Sequence, residues 1–165
     1  MSHIKKAYLA GGCFWGMEEL FRIQPGVVDT QVGYTGGEND DPTYEYHPGH
    51  AEALEISYDG EKTSFKHILD FFFRVHNPTT KNQQGNDIGS AYRSAIFFQN
   101  DEEKQVAEEF IDLVNASKRW DNPVVTTLEP FTAFHLAETY HQDYLQKNPG
   151  GYSCHFVRGD SYLDS

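Results

Sequence analysis

The apolar run Ala7-Tyr8-Leu9-Ala10 stops at Gly11-Gly12, and beyond it the hydrophobic spacing changes. Phe14, Met17, Leu20 and Phe21 recur at helical intervals, so a buried strand is predicted to give way to a helix with acids in its first turn. Val27 to Tyr34 reads as a second strand ending in the turn-rich stretch 35–42. Glu52 to Tyr58 fits a third strand, closed by Asp59-Gly60. Thr63 or Ser64 can cap a helix through Phe65, Ile68, Leu69, Phe72 and Val75, which Asn77-Pro78 stops. Tyr92 to Phe98 fits a fourth strand.

This order predicts an α/β (α+β) fold with a ferredoxin-like βαββαβ core: two crossover helices packed on one side of a mixed sheet. Extra elements follow. Asn100 with Glu103 suits the start of a helix from Asp101 to about Lys118, Pro123 to Leu128 looks like a short strand, and a last helix is expected from about His135 to Gln146. A long polar coil tail from Tyr152 to Ser165 is expected to be mobile. No repeat or linker divides the chain, so 1–165 reads as a single domain.

Composition narrows the function. The 165 residues suffice for a real core, and two cysteines are too few for a disulfide framework. A net charge of −12 argues against a nucleic-acid partner, whose phosphates call for Lys and Arg. The N-terminal run is too short for a membrane span or signal peptide, which makes a reducing cytoplasm the expectation; a monomer is expected as well. His47 and His50 flank Pro48-Gly49 without companion ligand motifs, so they read as turn residues and no metal or organic cofactor is expected.

Cys13 stands at the predicted strand-to-helix junction, where unpaired helix N–H groups and the positive end of the helix dipole favour a thiolate. It is a candidate nucleophile; the alternative is a small buried hydrophobe in a tight turn. Period two puts Glu52 on the face of Leu54, Ile56 and Tyr58, opposite Ala53, Glu55 and Ser57. A carboxyl on an apolar face is desolvated and can keep a proton near neutrality as a general acid. The alternative is a glutamate that reaches water or pairs with Arg93. The loop 82–90 mixes glycines, amides and Asp87, which could orient a neighbour, and Tyr92 follows where a loop enters a strand.

Together, Gly12-Cys13-Phe14-Trp15-Gly16, Gly33-Tyr34-Thr35-Gly36-Gly37, Pro42-Thr43-Tyr44, Gly49-His50-Ala51-Glu52, Gln84-Gly85-Asn86-Asp87-Ile88-Gly89, Tyr92-Arg93-Ser94 and Asn148-Pro149-Gly150-Gly151-Tyr152 resemble the peptide methionine sulfoxide reductase A family, in order from about residue 6 to 156. The resemblance implies that Cys13 attacks the sulfoxide sulfur and becomes a sulfenic acid, while Glu52 protonates the oxygen. It implies that Tyr44 and Tyr92 hydrogen-bond that oxygen, that Phe14 and Trp15 hold the methyl group, and that Asp87 supports the polar network. The S epimer of methionine sulfoxide, free or in proteins, is the implied substrate.

Some positions depart from the family pattern. The loop between Tyr44 and Glu52 is short, so Tyr46 competes with Tyr44 for the hydroxyl role; Ala91 stands where glutamine is common and Asn77 where aspartate is common. Ser153 separates Tyr152 from Cys154, where many relatives have the cysteine directly after the tyrosine. The expectation is that Cys154 forms a disulfide with Cys13 and that thioredoxin reduces it; an idle tail thiol is the alternative. A Cys-His hydrolase and a non-catalytic binder of methionine-rich segments are the competing functions.

Overall fold

A computed structural model describes residues 3–151, 153 and 155–163. The chain runs β1 (Ile4–Gly11), α1 (Phe14–Arg22), β2 (Val27–Thr35), β3 (Ala51–Asp59), α2 (Phe65–Val75) and a small hairpin of β4 (Gln83–Gln84) and β5 (Asp87–Ile88). A 3-10 turn over Ser90–Tyr92 leads to β6 (Ser94–Phe98), α3 (Asp101–Ser117), β7 (Thr127–Pro130), β8 (Phe134–Leu136), a second 3-10 turn over Thr139–His141, and α4 (Tyr144–Lys147).

The six-stranded sheet has the order β7-β6-β1-β3-β2-β8. Its middle, β6-β1-β3-β2, is antiparallel throughout and is linked by the α1 and α2 crossovers, which is the expected ferredoxin-like core. β7 adds in parallel to β6 and makes the sheet mixed. Alternation along the strands sends Ala7, Leu9, Val32, Leu54, Ile56 and Ile96 into one apolar core with α1, α2 and α3. The opposite face, with Tyr8, Ala10, Ala53 and Phe97, is covered by Phe131 and Phe134.

Local chemistry sets the helix ends. Ser64 accepts the His67 N–H at 3.2 Å to start α2, and Asn100 accepts the Glu103 N–H at 2.8 Å to start α3. The acids Asp101, Glu102 and Glu103 fill the first turn of α3, where the helix dipole favours them. In α1 the first turn holds no acid, contrary to expectation, because the helix starts at Phe14 and puts Glu18 and Glu19 a turn later.

Three further expectations are corrected. The helix expected from His135 to Gln146 does not form. Instead β8 pairs with β2, a close approach that Gly33 permits because a Cβ there would overlap the His135 carbonyl and the Phe134 ring. The Gln142 amide then bonds to both backbone groups of Val32, at 2.9 and 2.8 Å, and Asp143 turns to φ 57°, so only a four-residue α4 remains. The strand expected at Pro123 begins at Thr127, after the Val125 N–H has been taken by the Pro78 carbonyl. Tyr92 lies in the 3-10 turn rather than on β6, since the Arg93 N–H bonds back to Ser90.

The tail also differs from expectation: its described residues pack along α2. The Arg158 N–H donates to the Arg74 carbonyl at 2.7 Å, the Tyr162 N–H to Asp70 Oδ1 at 2.7 Å, and Trp120 Nε1–H to the Tyr162 hydroxyl at 3.0 Å. Polar composition did not reveal these backbone-directed bonds.

Phe73 is fully buried and stacks on Phe110 at 5.6 Å between α2 and α3. Phe73→Ala should cost about 3–5 kcal/mol, read as a lower denaturation midpoint with an unchanged slope. A loss below about 1 kcal/mol would contradict this packing.

Candidate active site

β1 delivers the chain to Gly12, which takes φ 99°, and Cys13 follows as the residue capping α1. That φ strains any residue with a Cβ, and a Cβ on Gly12 would also stand 2.6 Å from Gln84 Cγ. Cys13 therefore sits at the start of a helix, beside N–H groups that no helical carbonyl takes. It keeps 7% of its surface exposed, so the thiol is recessed rather than sealed.

Glu52 reaches the same helix end from β3. It lies opposite Tyr34 on β2 and shares the face of Leu54, Ile56 and Tyr58, as its strand parity predicts. Its Oε1 accepts the Phe14 N–H at 3.2 Å. Burial is the largest influence on its acidity and raises the pKa; the Phe14 N–H works the other way, and the Asp87 charge adds to the rise. Burial wins, and the carboxyl is pushed up to about 8. About nine molecules in ten then carry the proton at pH 7. The alternative pairing with Arg93 does not occur, because Arg93 grips Glu129 through two bonds of 2.9 and 3.0 Å.

The remaining polar residues gather around this pair. Burial raises the pKa of Tyr44 and Tyr92, and the charges of Glu52, Cys13 and Asp87 push both the same way. Both hydroxyls therefore stay protonated at neutral pH and can donate. Tyr46 is 66% exposed, whereas Tyr44 packs 4.5 Å from His141 and feels Cys13 and Glu52 directly. The geometry brings Tyr44 to the cluster. Asp87 lies on the β4–β5 hairpin, which Gln84 ties to Asn77 through two bonds of 2.8 and 2.9 Å. Asn77 Oδ1 accepts from the Thr79 N–H and hydroxyl, an acceptor role that an aspartate would fill equally.

One side of the site is aromatic. Trp15 stacks on Tyr144 at 3.8 Å, and its Nε1–H donates to His141 Nδ1 at 2.9 Å. Phe14 is fully buried beneath, 5.2 Å from His141 and 5.7 Å from Tyr34, so Trp15 provides the accessible wall and Phe14 the support. Glu138 holds this side together by accepting the Tyr34 hydroxyl at 2.9 Å and the Tyr44 N–H at 3.0 Å. Buried Glu18 fastens the following segment to α1, accepting the Asp143 N–H at 2.8 Å and the Thr30 hydroxyl at 3.0 Å.

His141, Tyr144 and Glu138 were missed in the sequence. They fall where a helix was expected, and the β2–β8 pairing together with the Gln142 and Glu18 bonds holds their segment in place. Cys154 lies outside the described residues. His50 spends its ring on the Gly37 N–H and the Asn39 carbonyl, and His47 on the Thr43 carbonyl, which is the work of turn residues. Among the described residues no group of three or more His, Cys, Asp or Glu is arranged to hold a metal ion, and no helix is long and apolar enough to cross a membrane. Clefts of about 490 and 460 Å³ lie along α2 and near the start of α3; neither contains Cys13 or Glu52, so neither houses this chemistry.

Comparison with known proteins decides which chemistry the arrangement serves. The family model described as peptide methionine sulfoxide reductase matches residues 5–162. The chain belongs to the peptide methionine sulfoxide reductase family. It is 59% identical over 160 residues to peptide methionine sulfoxide reductase MsrA of Mycobacterium sp. (strain MCS), covering 97% of this chain and 94% of that one. The MsrA of Nocardia farcinica is 58% identical with the same coverage. Among solved structures, reduced Mxr1 from Saccharomyces cerevisiae matches with a TM-score of 0.84 at 38% identity, covering 95% of this chain and 93% of that one. Mxr1 in complex with Trx2 matches with a TM-score of 0.61 at 29% identity, covering 95% and 91%. The protein is thus an oxidoreductase of methionine sulfoxide, as the motifs implied.

In such a reductase a protonated Glu52 should be directly visible. Carbon-detected NMR should give its carboxyl a midpoint near 8, and Asp87→Asn should lower that midpoint by removing a neighbouring charge. A midpoint in the ordinary carboxylate range would contradict the electrostatics.

Proposed function

We propose that the protein reduces the S epimer of methionine sulfoxide, free and in proteins, with Cys13 as nucleophile and Glu52 as proton donor. The observation that carries the reading is a buried carboxyl, 2% exposed, whose Oε1 accepts the N–H of the residue next to the thiol; burial there pushes its pKa up. Attack on the electrophilic sulfur requires a thiolate, and its oxygen becomes transferable as it gains a proton. Glu52 supplies that proton, and Tyr44 and Tyr92, which share its electrostatic environment, steady the developing negative oxygen by donating hydrogen bonds. Burial keeps Glu52 protonated, and the Asp87 charge adds to that effect. Trp15, backed by Phe14, takes the methyl group.

The net first step transfers oxygen: the Cys13 thiol and the sulfoxide give methionine and a Cys13 sulfenic acid. Sulfur is reduced by two electrons in the substrate and oxidised by two in the enzyme. The Cys154 thiol then attacks the sulfenic sulfur, releasing water and forming a Cys13–Cys154 disulfide. A thioredoxin dithiol reduces that disulfide to two thiols and is itself oxidised; the Trx2 complex of the yeast relative supports this donor. One domain carries the cycle as a monomer without metal or organic cofactor, and a reducing cytoplasm suits it.

Incubation with one equivalent of methionine sulfoxide and no reductant should consume thiols and release methionine; a hydrolase or passive binder would consume none. Glu52→Gln should leave Cys13 alkylatable while slowing methionine release about 100-fold or more, and an unchanged rate would remove Glu52 from the chemistry. Cys154→Ser should complete a first turnover yet stall with thioredoxin, whereas undiminished thioredoxin-driven turnover would show the tail thiol to be idle.

A further inference from the structure

His155 takes no part in the proposed sulfoxide chemistry, yet it is buried against the backbone leading into Cys13. Its Nε2 lies 2.6 Å from the Gly11 carbonyl oxygen, and since a carbonyl only accepts, Nε2 carries the proton. Burial lowers its pKa to about 4, so the ring is neutral at working pH. A Cβ on Gly16 would overlap His155 Nδ1 and stand 2.5 Å from Ser153 Oγ, while one on Gly12 would come within 3.3 Å of His155 Nε2. The glycines on either side of Cys13 thus make room for the tail. From Arg158 to Tyr162 the tail is already fastened to α2 by bonds of 2.7 Å at each end. That stretch of the tail is held by bonds other than the His155 bond, whose acceptor lies two residues before the nucleophile.

We propose that His155 is a positioning residue for disulfide closure: its bond to Gly11 and its seat beside Gly16 hold the chain next to Cys154 at the start of α1. This rests on Cys154 being the resolving thiol. In the step concerned, the Cys154 thiol and the Cys13 sulfenic acid form one S–S bond and release one water, with no outside electrons. Tethering raises the local concentration of the attacking thiol and leaves the first step untouched.

The test is rapid-quench analysis of the full chain with one equivalent of methionine sulfoxide, following methionine, trapped sulfenic acid and disulfide. In His155→Ala, methionine release should keep its wild-type rate while disulfide formation slows about tenfold, the factor one buried hydrogen bond typically controls. Sulfenic acid should accumulate, and thioredoxin-driven turnover should fall in parallel. His155→Gln, whose amide N–H can reach the same carbonyl, should recover most of the closure rate. Gly16→Ala should reproduce the defect by displacing the seat, and it carries the test if His155→Ala fails to fold. Closure at the wild-type rate, or methionine release slowed as much as closure, would overturn the proposal. Cys154→Ser separates the two ideas: if it turns over normally with thioredoxin, the resolving role has failed, and if it stalls while His155→Ala closes normally, only the His155 proposal has failed.

Discussion

The hydrogen bond from the Phe14 N–H to Glu52 joins the start of a helix to the inner face of a sheet, and a contest decides the charge of its acceptor. A free N–H at a helix start favours a carboxylate. The apolar face of β3 and the nearby Asp87 favour the acid, and they prevail. Were Glu52 as acidic as an exposed glutamate, it would hold no proton at neutral pH to donate in the proposed chemistry. The fold hides this one carboxyl and places the Cys13 thiol at a helix terminus.

This arrangement makes stability depend on pH with a definite sign. A carboxyl whose pKa is raised in the folded state contributes stability that is complete below about 4.5 and is lost as pH rises through about 8, on the order of a few kcal/mol. His76 and His155 tilt the other way. Burial lowers their pKa values to about 3 and about 4, so their contribution is complete above about 6.5 and is lost as pH falls toward those values. Phe14, Phe21, Phe72, Phe73 and Phe97 are all essentially buried and supply apolar area to the fold at every pH.

Much of this was legible in the sequence wherever one periodicity prevailed. The parity of β3 placed Glu52 on the apolar face, and the glycines before Cys13 marked the junction with α1. The segment from His135 to Gln146 was misread as a helix because its structure depends on a partner about a hundred residues away: Gly33 admits β8, and the Gln142 amide occupies the backbone of Val32. His141, Tyr144 and Glu138 were lost with it. The tail was misjudged for a similar reason, since its bonds use backbone groups that composition does not reveal. The family motifs recovered the residues around the thiol but carried no sign of the support behind them.

The most direct test of the central claim is the pH dependence of the first-turnover rate, measured without reductant in the wild-type protein and in Glu52→Gln. The account predicts that the wild-type rate falls as pH rises through about 8, when Glu52 loses its proton, and that this alkaline limb disappears in the slow variant. A wild-type rate that keeps climbing through that range, or a limb that persists without Glu52, would contradict it.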